Sequence, residues 1–125
     1  MPEERFFTLE EANAELPGLR ERLARIRETR ATLLRSATVV RRRARANGGG
    51  IDGTAYLEAM RVLRGEIERL AAAGIVLRDP DSGLVDFPSR REGRLIYLCW
   101  RPDEDRVGHW HEANSGFAGR RPLEG

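Results

Sequence analysis

No lysine occurs anywhere in this chain: all 22 of its basic residues are arginine. A bias that complete is the mark of a GC-rich gene rather than of selection at each site. Cysteine is nearly absent too. Cys99 stands alone, which excludes an internal disulfide and a four-cysteine zinc site. Long apolar runs are missing: none approaches the ~18 residues needed to cross a bilayer. The opening MPEERFF lacks the basic region and long apolar stretch of a secretory signal. A cytoplasmic protein with no membrane contact is the expectation.

What is present fits one domain, residues 1–125, with 40% apolar and 34% charged residues. The formal net charge of +2 conceals an uneven distribution. Residues 1–16 carry one Arg and five Glu, whereas residues 17–46 carry ten Arg and two Glu. Positive charge is therefore concentrated on one segment.

FFTLEEANAE reads as a helix start. Thr8 is placed to cap, Glu11 completes a reciprocal capping box, and Phe7 precedes the cap where it packs back on the first turn. Leu16 precedes Pro17, which disfavours helical angles at Leu16 and suits a first helical position at Pro17. The expectation is a short helix over 9–15, a corner, and a long helix over 17–46. That helix carries Leu16, Leu19, Leu23, Ile26, Leu33, Ala37, Val40 and Ala44 at alternating steps of three and four, broken at Arg30. Asn47-Gly48-Gly49-Gly50 ends it, and a second helix over 54–73 repeats the pattern with Leu57, Met60, Leu63, Ile67 and Leu70 before Gly74. Two such helices joined by a short loop form an antiparallel, coiled-coil-like hairpin, residues 9–74.

After Gly74 the pattern becomes extended. Ile75–Leu77, Leu84–Phe87, Leu95–Trp100 and Val107–His111 are separated by turn residues, so residues 75–125 read as an antiparallel meander of three or four strands. The fold class expected is α+β. LIYLCW is apolar on both faces and needs cover on each: helices on one side, the C-terminal tail or a second subunit on the other. A homodimer is the expected assembly, and a further protein partner is compatible with the hairpin.

Chemistry concentrates at HWHE. Residues two apart on a strand face the same way, so His109 and His111 share a side and Trp110 and Glu112 take the other. Paired imidazoles with a carboxylate can hold one divalent metal, zinc or similar. Asp86 is the carboxylate that calls for a partner, because an unpaired charge inside LVDF is expensive; a metal, an imidazole or Arg120 could supply it. The bland alternative is that these side chains only satisfy each other, and that Cys99 is a small core residue. Asn13, unfavourable inside a helix, is expected to make a tertiary hydrogen bond, and Arg120 to set the tail against an acid. Arg41, Arg42, Arg43 and Arg45 could grip phosphates, although no nucleic-acid motif accompanies them and the long helix has no aromatic residue.

FTLEEAN, GLVDFP, LCW and WHE followed by GFAGR together resemble the small bacterial domain-of-unknown-function family 2203, over nearly the whole chain. The resemblance implies no activity. It implies that Thr8, Glu11, Asn13, Asp86, Trp100, His111, Glu112 and Arg120 belong to a recurring pattern. His109 falls where relatives carry an aromatic residue, which moves the expected metal set toward Asp86, His111 and Glu112. The reading that results is a non-catalytic binding or scaffold protein with a polar cluster around Asp86 and His111. The alternatives are a divalent-metal protein, hydrolytic in its strongest form, and a nucleic-acid-binding protein.

Overall fold

A computed structural model describes residues 5–47 and 54–123, apart from the side chains of Val40 and residues 43–47. The expected glycine stop at Gly48–Gly50 lies outside the described residues. Helix α1 spans Leu9–Asn47 and α2 spans Thr54–Ala72. The capping box forms as the sequence implies: Thr8 Oγ1 accepts from the Glu11 amide at 3.1 Å, and Glu11 Oε1 accepts from the Thr8 amide at 2.8 Å. Those bonds, the backbone one first, hold the Glu11 carboxyl below its ordinary range.

The expected corner at Pro17 does not exist; α1 is one helix of 39 residues with Pro17 inside it. An internal proline forfeits a backbone hydrogen bond and costs about 3 kcal/mol. Against that stand Ala12, Leu16, Leu19, Leu23 and Ile26, all buried in one continuous stripe across the proline. Each large member is worth about 1.5–3 kcal/mol, so unbroken packing outweighs the lost bond. Pro17 itself points to solvent. Arg30 marks where α1 leaves the sheet: it pairs with Asp81 in a surface turn. From Ala31 onward no described residue of α1 is buried, and in α2 none is buried before Glu66.

The helices run antiparallel, with Arg22 and Arg25 of α1 reaching Glu66 of α2 at 2.7 and 3.3 Å. Glu66 is buried and is also held by Arg69 at 3.2 Å. Placing a carboxylate on the inner face turns the α2 stripe. Leu63 and Leu70 serve the core, but Leu57, Met60 and Ile67, expected to face α1, are exposed.

Among the described residues the sheet has five strands, not three or four, in the order β1-β2-β3-β4-β5, all antiparallel. They are β1 (Val76–Asp79), β2 (Leu84–Arg91), β3 (Arg94–Trp100), β4 (His109–Glu112) and β5 (Arg121–Pro122). The extra strand is the short β5, brought beside β4 after a 3-10 turn at Phe117–Gly119. β2 runs through Pro88 rather than ending there. The Pro88 carbonyl accepts from the Phe7 amide at 2.7 Å, on the side away from β3. Within a strand the N and C=O of one residue face the same side, so the missing N–H removes no bond to β3.

Glu92 and Gly93 close the β2–β3 hairpin with φ of 51° and 77°. This is the two-residue turn whose twist matches the strands, and it demands left-handed backbone at both positions. Glutamate is poorly suited to that region. Glu92→Asn should raise stability by about 0.5 kcal/mol, read as a higher denaturation midpoint at unchanged slope. A lower midpoint would mean that the exposed Glu92–Arg94 pair matters more than the backbone.

Strand alternation then sorts the sheet. Val85, Phe87, Ile96, Leu98, Trp100 and Trp110 join the helices in the core. The residues between them, among them Asp86, Tyr97, Cys99, His109 and His111, lie on the far face. Cys99 is fully buried there and Tyr97 half-buried, so the second apolar face of β3 is closed by the chain itself.

Candidate functional site

The far face brings Asp86 of β2, Cys99 of β3 and His111 of β4 together. Asp86 pairs with Cys99 in register, Tyr97 pairs with His111, and the imidazole reaches diagonally across to the acid. His111 Nε2 lies 2.9 Å from Asp86 Oδ2. The three residues are 2%, 0% and 2% exposed, taken as Asp86, Cys99 and His111. One potential donor atom from each lies within 4.8 Å of the others. The Tyr97 ring covers the imidazole, with centroids 5.5 Å apart.

Donor and acceptor roles fix much of the arrangement. His111 Nδ1 lies 2.7 Å from the Glu112 carbonyl oxygen, which only accepts, so this nitrogen carries hydrogen. Nε2 then faces a carboxylate oxygen, and a proton between them closes the contact. Arg78 of β1 donates Nε to the same Oδ2 at 2.7 Å and lies over the Tyr97 ring at 4.9 Å. The bond to Asp86 holds the guanidinium above its ordinary pKa. Burial first, and then the Asp86 charge, push the Cys99 thiol up to about 12, so at neutral pH it is a thiol rather than a thiolate. Asp86 Oδ1, buried like the rest of the side chain, has no hydrogen-bond partner among the described residues.

Other residues singled out from the sequence fall elsewhere. His109 shares the face of His111, as strand alternation requires, but it is engaged by Arg120 and lies 3.4 Å from Glu104 Oε2. Arg120 also binds Glu104, an acid that fulfils the expectation for the tail. Its other neighbour is Phe117, whose ring lies 4.9 Å away and is exposed. Glu112 points to the opposite side of the sheet and is gripped by Arg94 at 2.8 and 2.9 Å. That grip, through its hydrogen bonds first, keeps the carboxyl below its ordinary range. Glu112 therefore contributes its backbone carbonyl to His111 and no side-chain donor to the cluster.

Asn13 makes the tertiary bond expected of it: Oδ1 accepts from the Val107 amide at 2.8 Å, tying α1 to the segment before β4. This clasp lies on the helix side, away from the cluster. Arg41 and Arg42 are exposed near the end of α1, and the side chains of Arg43 and Arg45 lie outside the described residues.

Two members of the cluster carry no signal in the sequence. By local rules Cys99 is a small core residue, and nothing local marks Arg78. Register is what reveals them: once Val76 pairs with Asp86, Arg78 follows on the same face, and Cys99 is the direct partner of Asp86 on β3.

A helical hairpin on one face of an antiparallel meander, with a closed Asp–Cys–His cluster on the other, defines an α+β protein with a buried polar centre. The chain belongs to the family described as "Uncharacterized conserved protein (DUF2203)", whose model matches residues 5–123. No curated protein and no solved structure matches it. Among the described residues no helix is long and apolar enough to cross a membrane.

Proposed function

We propose that this is a non-catalytic scaffold protein that pairs with a second copy of itself through the hairpin. The observation that carries this reading is the apolar stripe of α2: Leu57 is 62% exposed, and Met60 and Ile67 remain on the surface beside it. Leu34, 67% exposed, and Val39 extend apolar surface along α1. A helix that keeps large side chains in water at heptad spacing is placed for another helix. Its charges favour an identical partner, because α2 holds equal numbers of Arg and Glu. An antiparallel arrangement centred between Leu63 and Arg64 sets Met60 against Ile67 of the other copy and Glu58 against its Arg69. Every contact is thereby made twice, as two-fold symmetry requires.

The polar cluster supports the non-catalytic half of the reading. A substrate must touch the groups that act on it, and Asp86, Cys99 and His111 are sealed. Their direct role is to hold β1, β2 and β4 in register from the far face.

Sedimentation equilibrium tests the proposal. The expected result is a reversible species of twice the 14.1 kDa chain mass, converted to monomer by Leu57→Glu or Ile67→Glu without loss of helical signal. Both positions are exposed in the single chain, so folding should be unaffected. A 14.1 kDa species at every concentration would falsify the dimer.

A further inference from the structure

We propose that Asp86, Cys99 and His111 constitute a site for one zinc-type divalent cation, bound through a carboxylate oxygen, the thiolate sulfur and Nε2. The site is independent of the dimer surface, which lies on the helices. Three adjacent strands each deliver one donor, and the donor set of oxygen, sulfur and nitrogen suits a borderline-soft ion. At zinc distances of about 2.0–2.3 Å, tetrahedral donors stand roughly 3.3–3.8 Å apart. The donors already lie within 4.8 Å of one another, so the widest separation closes by about 1 Å, while Nε2 and Oδ2, now 2.9 Å apart, part by about 0.5 Å; side-chain rotation supplies movements of that size.

Two further features point to a ligand rather than to a closed structural pair. The Nδ1–H of His111 is anchored on a backbone carbonyl, the outer contact that orients metal-binding imidazoles, and this turns Nε2 toward the other two donors. Among the described residues Asp86 Oδ1 is buried without a hydrogen-bond partner, an expensive state that a cation relieves.

Binding balances by proton release. The cation displaces the hydrogen shared between Nε2 and Oδ2 and the hydrogen of the Cys99 thiol, so two protons leave and no electron moves. Arg78 opposes the cation, since its guanidinium occupies Oδ2. It is the outermost member, with its side chain 42% exposed on a sheet edge, and can swing into water. Arg78 is thus the competitor that sets the affinity.

Cobalt(II) and zinc(II) added to untagged protein test the site. One equivalent of cobalt should produce sulfur-to-cobalt charge-transfer absorption. Zinc should bleach it, and calorimetry in buffers of different ionisation enthalpy should count about two protons released. Cys99→Ser should abolish the absorption and weaken zinc at least about tenfold, whereas Arg78→Met should tighten zinc by a similar factor. Cys99→Ser is near-isosteric, and circular dichroism checks that it folds. Absence of binding up to about millimolar zinc, binding indifferent to Cys99→Ser, or tightening absent in Arg78→Met would each overturn the assignment. None of these results depends on the oligomeric state.

Discussion

Asp86→Ala should destabilise the protein by about 3–5 kcal/mol, the cost of removing one partner from a buried ion pair or charge-assisted hydrogen bond. The acid is sealed, and it answers both His111 Nε2 and Arg78 Nε from one oxygen. Without it the imidazole, itself 2% exposed, keeps an Nε2 that has lost its counterpart and cannot reach water. Arg78 loses less, because its head is already half in solvent. In a chain of this size the melting temperature should fall by about 10–20 °C. Asp86→Asn preserves shape and one acceptor and should cost less, about 1–2 kcal/mol. The double variant Asp86→Leu with His111→Leu should cost less than the sum of its single variants, since no polar group is then left alone. A loss under about 1 kcal/mol for Asp86→Ala would show that the acid is not sealed as described.

Trp100→Ala should be comparably severe, about 3–5 kcal/mol. The indole is fully buried on the helix face, and Arg20 of α1 lies over it at 4.9 Å. Its Nε1–H donates to the Glu104 carbonyl at 3.0 Å. Arg20 binds the same segment, donating to the Pro102 and Glu104 carbonyls at 2.6 and 2.8 Å. One side chain therefore joins β3, the loop after it and α1. Trp100→Phe should cost only about 1–2 kcal/mol, because the Glu104 carbonyl keeps Arg20 as a donor and no buried acceptor is orphaned. Denaturant midpoints at constant slope would rank the variants. Equal losses for Phe and Ala would mean that the hydrogen bond, not the volume, carries the contribution of Trp100.

Local signals in the sequence were legible where the physics is local. The capping box at Thr8 and Glu11 needs only residues three apart, and it forms. The alternation that puts His109 and His111 on one side is a property of any strand. Asp86 could be singled out because a lone carboxylate in an apolar run demands compensation wherever the run is placed. What was hidden depends on partners distant in sequence. Pro17 ends a helix by local rules, yet the sheet beneath Leu16 and Leu19 overrides them. The outward turn of Leu57, Met60 and Ile67 follows from Glu66, whose burial makes sense only once Arg22 and Arg25 stand opposite. β5 is two residues long and has no periodicity to detect. The cluster itself was half visible. Its acid and imidazole could be named, but choosing Cys99 over Glu112 as the third neighbour needed the strand register.

Because α1 is a single rod, its two ends do not move independently. One stretch is glued to the sheet as far as Arg30, and the remainder stands clear of it, so the junction acts as a fulcrum. With a rise of about 1.5 Å per residue, a 10° tilt there carries the last turn through roughly 4 Å. Whatever grips the free arm would therefore lever directly on the short loops that Arg20 and Arg30 hold down.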